Sequence, residues 1–221
     1  MLTVHHLNNS RSQRVLWLLE ELELPYEVQR YERDPRTMRA PAQLRAVHPL
    51  GKSPVLVDDG QTVAESAVIA EYLLQRYGNG RLVPPADSPH WLRLRYWMHY
   101  AEASAMPPLL LKLVAQRIAS APMPWFARPV ARGIARTMQS DVVDPQIALH
   151  FGYIDAELRQ TGWFVGEDFS VADIQMSFPL EAAHARMPDP SWRAIPDFLQ
   201  RVHARPAYQR ALQRGGEYDY A

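Results

Sequence analysis

Gly51-Lys52-Ser53-Pro54-Val55-Leu56-Val57, closed by Asp58-Asp59-Gly60 and followed by Ala64-Glu65-Ser66, decides how this chain is read. Proline cannot donate to a strand ladder, so Pro54 marks a strand start or a sheet edge. Asp59-Gly60 between two apolar, β-prone stretches is a tight-turn signal. Glu65 and Ser66 then open a helix, whose first N–H groups lack intrahelical partners and carry the positive end of the helix dipole. A strand edge beside a helix start suits a small peptide: the edge pairs with its backbone and the helix start receives its carboxylate. Taken alone, the same run is also an ordinary hairpin leading into a capped helix.

Outward from this run, the N-terminal third alternates between two periods. Leu2 to Leu7 reads as a strand, and Val15, Leu18, Leu19 and Leu22 fit the template of an amphipathic helix. Tyr26, Val28 and Tyr31 read as a second strand after Pro25, and Met38 to Val47 as a short irregular helix. Val55–Val57 and Thr62–Ala64 are strands, and Glu65 to Tyr77 is a helix. The order β-α-β-α-β-β-α is that of a thioredoxin-like domain, in which a strand, helix, parallel-strand unit allows a mixed sheet. Gly78-Asn79-Gly80 and Pro84-Pro85-Ala86-Asp87-Ser88-Pro89 then form a turn-rich linker. The expected division is residues 1–78, a linker over 79–89, and an all-helical domain over 90–221.

In the second half Trp91 to Met106 predicts a long helix that Pro107-Pro108 should kink or end, with Leu109 to Ile118 beyond it. Helices are also expected near Val130–Ser140 and over Asp144–Gln160, the latter ended by Gly162. Phe169-Ser170-Val171-Ala172-Asp173-Ile174 has the form of a capping box with a hydrophobic staple. Arg128, Arg132 and Arg136 share one helix face, and no acidic residue lies between Glu102 and Asp141. That face reads first as solvated. Anion steering, or contact with membrane phosphates aided by Trp125 and Phe126, are the other readings.

Composition excludes several classes. Basic and acidic residues balance at 24 each, which argues against nucleic acid as the default partner. No apolar run approaches the ~18 residues a membrane span needs, and Met1 to His6 lacks the features of a secretory signal, so a cytosolic location is expected. With Cys 0 there is no disulfide, thiolate metal site or cysteine nucleophile. His5 and His6 are adjacent on a strand and point to opposite faces, so they cannot chelate together, and no metal site is expected.

Two runs carry a family resemblance that spans essentially the whole chain. Gly51–Val57 with Ala64-Glu65-Ser66 resembles the glutathione-binding half of a glutathione S-transferase N-terminal domain. Gly166-Glu167-Asp168-Phe169-Ser170-Val171-Ala172-Asp173 resembles the helix-start signature of that family's helical domain. The resemblance implies a cis Pro54, with Ser53 pairing the cysteinyl unit through its backbone. It also implies that Glu65 and Ser66 hold the γ-glutamyl end and that Lys52 faces the glycyl carboxylate. His48 stands where many members carry an asparagine.

The run Leu7-Asn8-Asn9-Ser10-Arg11-Ser12-Gln13-Arg14, aligned on its arginine, resembles the serine-type members, and Ser10 falls on their catalytic serine. Ser12 is the reserve candidate and Asn9 the next. A thiol of pKa about 8.5 is only a few per cent thiolate at pH 7. Lowering it two units takes about 2.7 kcal/mol, within reach of one hydroxyl hydrogen bond plus a helix dipole. On the residues alone, Ser10 or Ser12 is equally a helix cap. The absence of tyrosine here excludes the tyrosine-type mechanism, and the absence of cysteine excludes the cysteine-type branches.

The expected activity is therefore conjugation of glutathione, as co-substrate, to apolar electrophiles, with hydroperoxide reduction by the same thiolate as an added reaction. A non-catalytic binding or interaction module of the same fold, or a glutathione-dependent isomerase or dehalogenase, are the alternatives. Tyr96, Trp97, Tyr100 and Met106 could line an apolar co-substrate pocket, or could equally be core. The family's two-fold dimer is also expected, with Glu102 near the cleft.

Overall fold

The structure, a computed structural model, describes residues 1–220. β1 (Leu2–Leu7) lies parallel to β2 (Tyr26–Tyr31), with Leu2 opposite Tyr26 and Leu7 opposite Tyr31. It lies antiparallel to β3 (Val55–Asp58), which pairs antiparallel with β4 (Gln61–Ala64), so the sheet order is β2-β1-β3-β4. Asp59 and Gly60 both take positive φ, 45° and 90°, as a two-residue turn matched to strand twist requires. The parallel pair is joined by α1 (Ser12–Glu21), in which every residue from Ser12 to Leu19 is buried. α2 is confined to Leu44–Val47, the rest of the expected segment being irregular chain and a short turn, and α3 spans Ser66–Tyr77. The element order expected for a thioredoxin-like domain is thus observed.

The second half is helical: α4 (His90–Tyr100), α5 (Met106–Ser120), α6 (Arg128–Met138), α7 (Asp144–Thr161), α8 (Val171–Arg186), α9 (Ala194–His203) and α10 (Pro206–Gly215). Pro107-Pro108 does not end the long helix. A π-helical turn over Ala101–Ala105 joins α4 to α5, with the Met106 N–H donating to the Ala101 carbonyl. Widening the ladder just ahead of two residues that lack N–H groups absorbs the missing donors without a break. A second π-helical turn, Gln139–Val143, joins α6 to α7, which ends at the left-handed Gly162 (φ 81°).

The capping box at the start of α8 is present. The Asp173 carboxylate accepts the N–H of Ser170 at 2.7 Å and that of Phe164 at 2.9 Å. Phe169 packs against Trp17 of α1 at 5.6 Å and Trp163 at 5.3 Å, so the box also fixes one half against the other. α10 closes the same seam: Tyr208 meets Trp17 edge-on at 5.1 Å, and Arg205 binds Glu21 through two bonds of 2.6 and 2.9 Å. One apolar core, including Leu16, Trp17, Trp97, Phe151 and Phe198, therefore runs through both halves.

Candidate active site

The turn before β3 and the start of α3 face each other across a cleft of about 340 Å³. Lys52, Ser53, Pro54, Glu65 and Ser66 all line it, and the Ser53–Pro54 peptide is cis. Ser53 is held by the central strand: its hydroxyl donates to the His5 carbonyl at 2.8 Å and accepts the Leu7 N–H at 3.1 Å. Its main chain is thereby fixed at the cleft wall. Glu65 takes φ 75°, ψ 126° immediately before α3. A non-glycine residue there carries strain of order 1–3 kcal/mol, and the result is an exposed carboxylate beside the buried Ser66 and the first N–H groups of α3. Beside the Arg11–Glu102 pair, the cleft thus presents the Glu65 carboxylate, the Lys52 ammonium and a helix N-terminus, a charge pattern complementary to a zwitterionic peptide.

At the head of α1, Ser10 and Ser12 form a buried line that ends at His6. Ser10 Oγ lies 2.7 Å from Ser12 Oγ, and Ser12 Oγ lies 2.9 Å from His6 Nδ1. Ser12 is fully enclosed, whereas Ser10 keeps 5% of its surface exposed. Burial, reinforced by the charge of Arg30 and opposed by a hydrogen bond to the Gly215 backbone, pushes the His6 pKa down to about 4. The ring is therefore neutral at pH 7. Asn9 is committed elsewhere: its amide donates to the Asp219 carboxylate at 2.8 Å and its carbonyl accepts the Asp219 N–H at 2.9 Å. None of Asn9, Ser10 and Ser12 is among the residues lining the cleft, but Arg11, between the two serines, is.

The family profile for the glutathione S-transferase N-terminal domain matches residues 10–76, and that for the C-terminal domain matches residues 123–206. Glutathione S-transferase 3 of Schizosaccharomyces pombe is 37% identical over 215 residues, covering 97% of this chain and 88% of that protein. The chain belongs to the glutathione S-transferase family. Glutathione S-transferase 1 of Saccharomyces cerevisiae is 32% identical, with 97% and 95% covered. A crystal structure of a glutathione S-transferase from Actinobacillus pleuropneumoniae superimposes with a TM-score of 0.78 at 30% identity, covering 97% of this chain and 93% of that one.

Three residues that line the cleft, Glu102, Arg11 and His48, carried no firm role in the sequence. Glu102, in the π-helical turn, reaches into it and pairs with Arg14 at 2.5 Å and Arg11 at 2.8 Å. Burial alone would push the Glu102 carboxyl up, but the two guanidiniums outweigh it and hold its pKa below the usual value. Arg14 is buried and also donates to the Gln175 carbonyl at 2.6 Å. The pairing of Arg11 with Glu102 was not legible, because the two partners stand on opposite halves of the fold. His48 also lines the cleft.

None of the residues expected to line a co-substrate pocket is among those that line the cleft. Tyr100 is buried, with its hydroxyl 2.6 Å from His150 Nδ1, and the Tyr96 ring lies tilted against it at 5.3 Å. Trp97, fully buried, packs between Tyr153 and Phe164. Met106 is half-buried at the start of α5. Among the described residues no cluster of metal-binding side chains occurs, and no helix is long and apolar enough to cross a membrane.

Proposed function

We propose that this chain is a glutathione transferase that binds glutathione along the wall from Lys52 to Ser66 and activates its thiol with the Ser10 hydroxyl. The observation that carries the reading is the convergence of Lys52, Ser53, Glu65 and Ser66 on one cleft in a member of this family. Glu65 takes the γ-glutamyl ammonium, Ser66 and the first turn of α3 take the adjoining carboxylate, and Lys52 takes the glycyl carboxylate. The Ser53 main chain pairs with the cysteinyl unit, which directs the sulfur toward the start of α1.

Of the three candidate thiol partners, geometry favours Ser10. Asn9 is tied on both amide atoms to Asp219. Ser12 is enclosed and bonded to His6. A neutral His6 whose other ring edge bonds to Gly215 accepts the Ser12 proton at Nδ1. Ser12 Oγ then accepts from Ser10, and the Ser10 proton needs only to turn from Ser12 to sulfur. A hydrogen bond given to an anionic acceptor is roughly twice as strong as a neutral one, so the turn favours thiolate over thiol. His6 with a pKa near 4 cannot itself hold a proton from a thiol of reference pKa about 8.5. The thiol proton therefore leaves to solvent.

The thiolate would then attack the electrophilic carbon of an apolar co-substrate, expelling its leaving group or opening an activated double bond. With an organic hydroperoxide it would attack the oxygen, breaking the O–O bond to release the alcohol and leaving a glutathione sulfenic acid. A second glutathione reduces that acid, giving the disulfide and water. Tyr96, Tyr100 and Met106 remain the proposed wall for that substrate. We place the enzyme in the cytosol as a two-fold dimer: Leu50, Val68 and Leu92 are exposed apolar side chains around the cleft loop, α3 and α4, and burying them against a second copy is favourable. Light scattering near twice 25.3 kDa supports the dimer, and a monomer at micromolar concentration contradicts it. Retention on immobilised glutathione, with turnover of a panel of electrophiles and hydroperoxides, tests the activity. Retention without turnover of any would favour a binding module instead.

A further inference from the structure

The hairpin of α5 and α6 carries an exposed face that the cleft does not use. Trp125 is 79% exposed, Phe126 66%, Val130 64% and Ile134 59%. Successive α-helical residues turn by about 100°, which sorts α6 into four rows. Ala131 and Ala135, with Ala127 just ahead, form the small row turned inward toward α5, Ala135 being fully buried. Val130 and Ile134 stand on one side of it, and Arg128, Arg132 and Arg136 on the other. Pro129, Gly133 and Thr137, all exposed, lie outermost between those two rows. A flat surface laid on this small outer row would meet the apolar side chains along one flank and the guanidiniums along the other.

The charge of the face is as one-sided as its shape. From Ala103 to Ser140 the charged residues are Lys112, Arg117, Arg128, Arg132 and Arg136, in a chain whose formal net charge is zero. Lys112 is paired with Asp144 at 2.9 Å, but no ion pair engages the four arginines among the described residues. A second copy docking here by a two-fold axis would set this basic stretch against itself. An anionic surface has the opposite, complementary charge.

We propose that the α5–α6 hairpin docks the protein on an anionic lipid bilayer, with Trp125, Phe126, Val130 and Ile134 entering the interface and the arginines engaging lipid phosphates. Aromatic and apolar side chains shallowly inserted beside arginines are the composition of interfacial helices. The cytoplasmic leaflet supplies the negative potential that such a face requires, each arginine brought to it being worth about fivefold in partitioning. Docked this way, the enzyme is held at a phase in which apolar electrophiles concentrate.

Co-sedimentation of the full-length protein with phosphatidylcholine vesicles, with and without phosphatidylserine, tests this. Binding is expected with phosphatidylserine, weakening as salt is raised, and little is expected with phosphatidylcholine alone. Arg128→Glu/Arg132→Glu/Arg136→Glu should lose about a hundredfold or more in partitioning. Trp125→Ser/Phe126→Ser should weaken binding while leaving its salt dependence in place. Circular dichroism and light scattering on each variant establish that fold and mass are unchanged. Failure of the wild type to bind phosphatidylserine vesicles overturns the proposal, as does binding insensitive to both variants. A change of oligomeric mass in either variant also overturns it, in favour of a contact between protein copies.

Discussion

Arg14 of α1 and Glu102 of the π-helical turn meet at 2.5 Å across the seam between the two halves of the molecule. Arg14 is buried and Glu102 one-third exposed, so neither charge is dispensable once the other is in place. Replacing one partner of a buried pair costs about 3–5 kcal/mol, and Glu102→Gln should fall at or somewhat below the lower end because its carboxylate retains some water. Chemical denaturation measures this. The Glu102 pKa is held below its unfolded value, taken as about 4.3. Its contribution is therefore present above that value and lost as pH falls through the folded one. The acid limb of stability should be shallower in Glu102→Gln.

Asp173 predicts the opposite sign. Burial outweighs its three hydrogen bonds from Phe164 and Ser170 and raises its pKa to about 6, against about 3.9 unfolded. Between those values the folded state binds more protons, so its contribution to stability falls as pH rises from about 4 to about 6, by an amount of order 2–3 kcal/mol. Subtracting the stability of Asp173→Asn from that of the wild type across this window should reveal the slope. A difference independent of pH would contradict it.

Asn9 should behave as a latch for the C-terminal tail. Asn9→Ala removes both bonds to Asp219, so hydrogen exchange at Glu217 to Tyr220 should accelerate while the titration of bound thiol stays where it was. A moved titration with an unmoved tail would return Asn9 to the list of thiol partners.

Glu65 is the test of the binding half. If Glu65 holds the γ-glutamyl ammonium, Glu65→Ala should raise the glutathione dissociation constant about tenfold or more. Calorimetry showing unchanged affinity in a folded variant would remove the assignment.

What the sequence disclosed divides by range. The strands, α1, α3 and the box at Ser170 and Asp173 were legible because periodicity, Asp59-Gly60 and a three-residue spacing are local signals. The grouping of Lys52, Ser53, Glu65 and Ser66 was legible because one hairpin brings them together. Arg14–Glu102 and Asn9–Asp219 were not, since the partners are 88 and 210 residues apart and no local spacing connects them. Pro107-Pro108 misled in part: a proline pair signals missing donors, but the widened turn at Ala101–Ala105 depends on how α4 and α5 pack. The line from Ser10 through Ser12 to His6 was hidden because it needs β1 and α1 in register, although both ends were in view.

The most direct test of the account follows the thiolate absorbance of enzyme-bound glutathione against pH in the wild type, Ser10→Ala and Ser12→Ala. If Ser10 supplies the hydrogen bond, Ser10→Ala should raise the bound-thiol pKa and lower kcat about tenfold or more, with little change in glutathione affinity. Ser12→Ala should leave Ser10 free to face sulfur, so its titration should not rise. An unmoved titration in Ser10→Ala, with about 1 kcal/mol of stability lost, would make Ser10 a helix cap and contradict the central claim. A rise confined to Ser12→Ala would contradict it equally and transfer the role to Ser12.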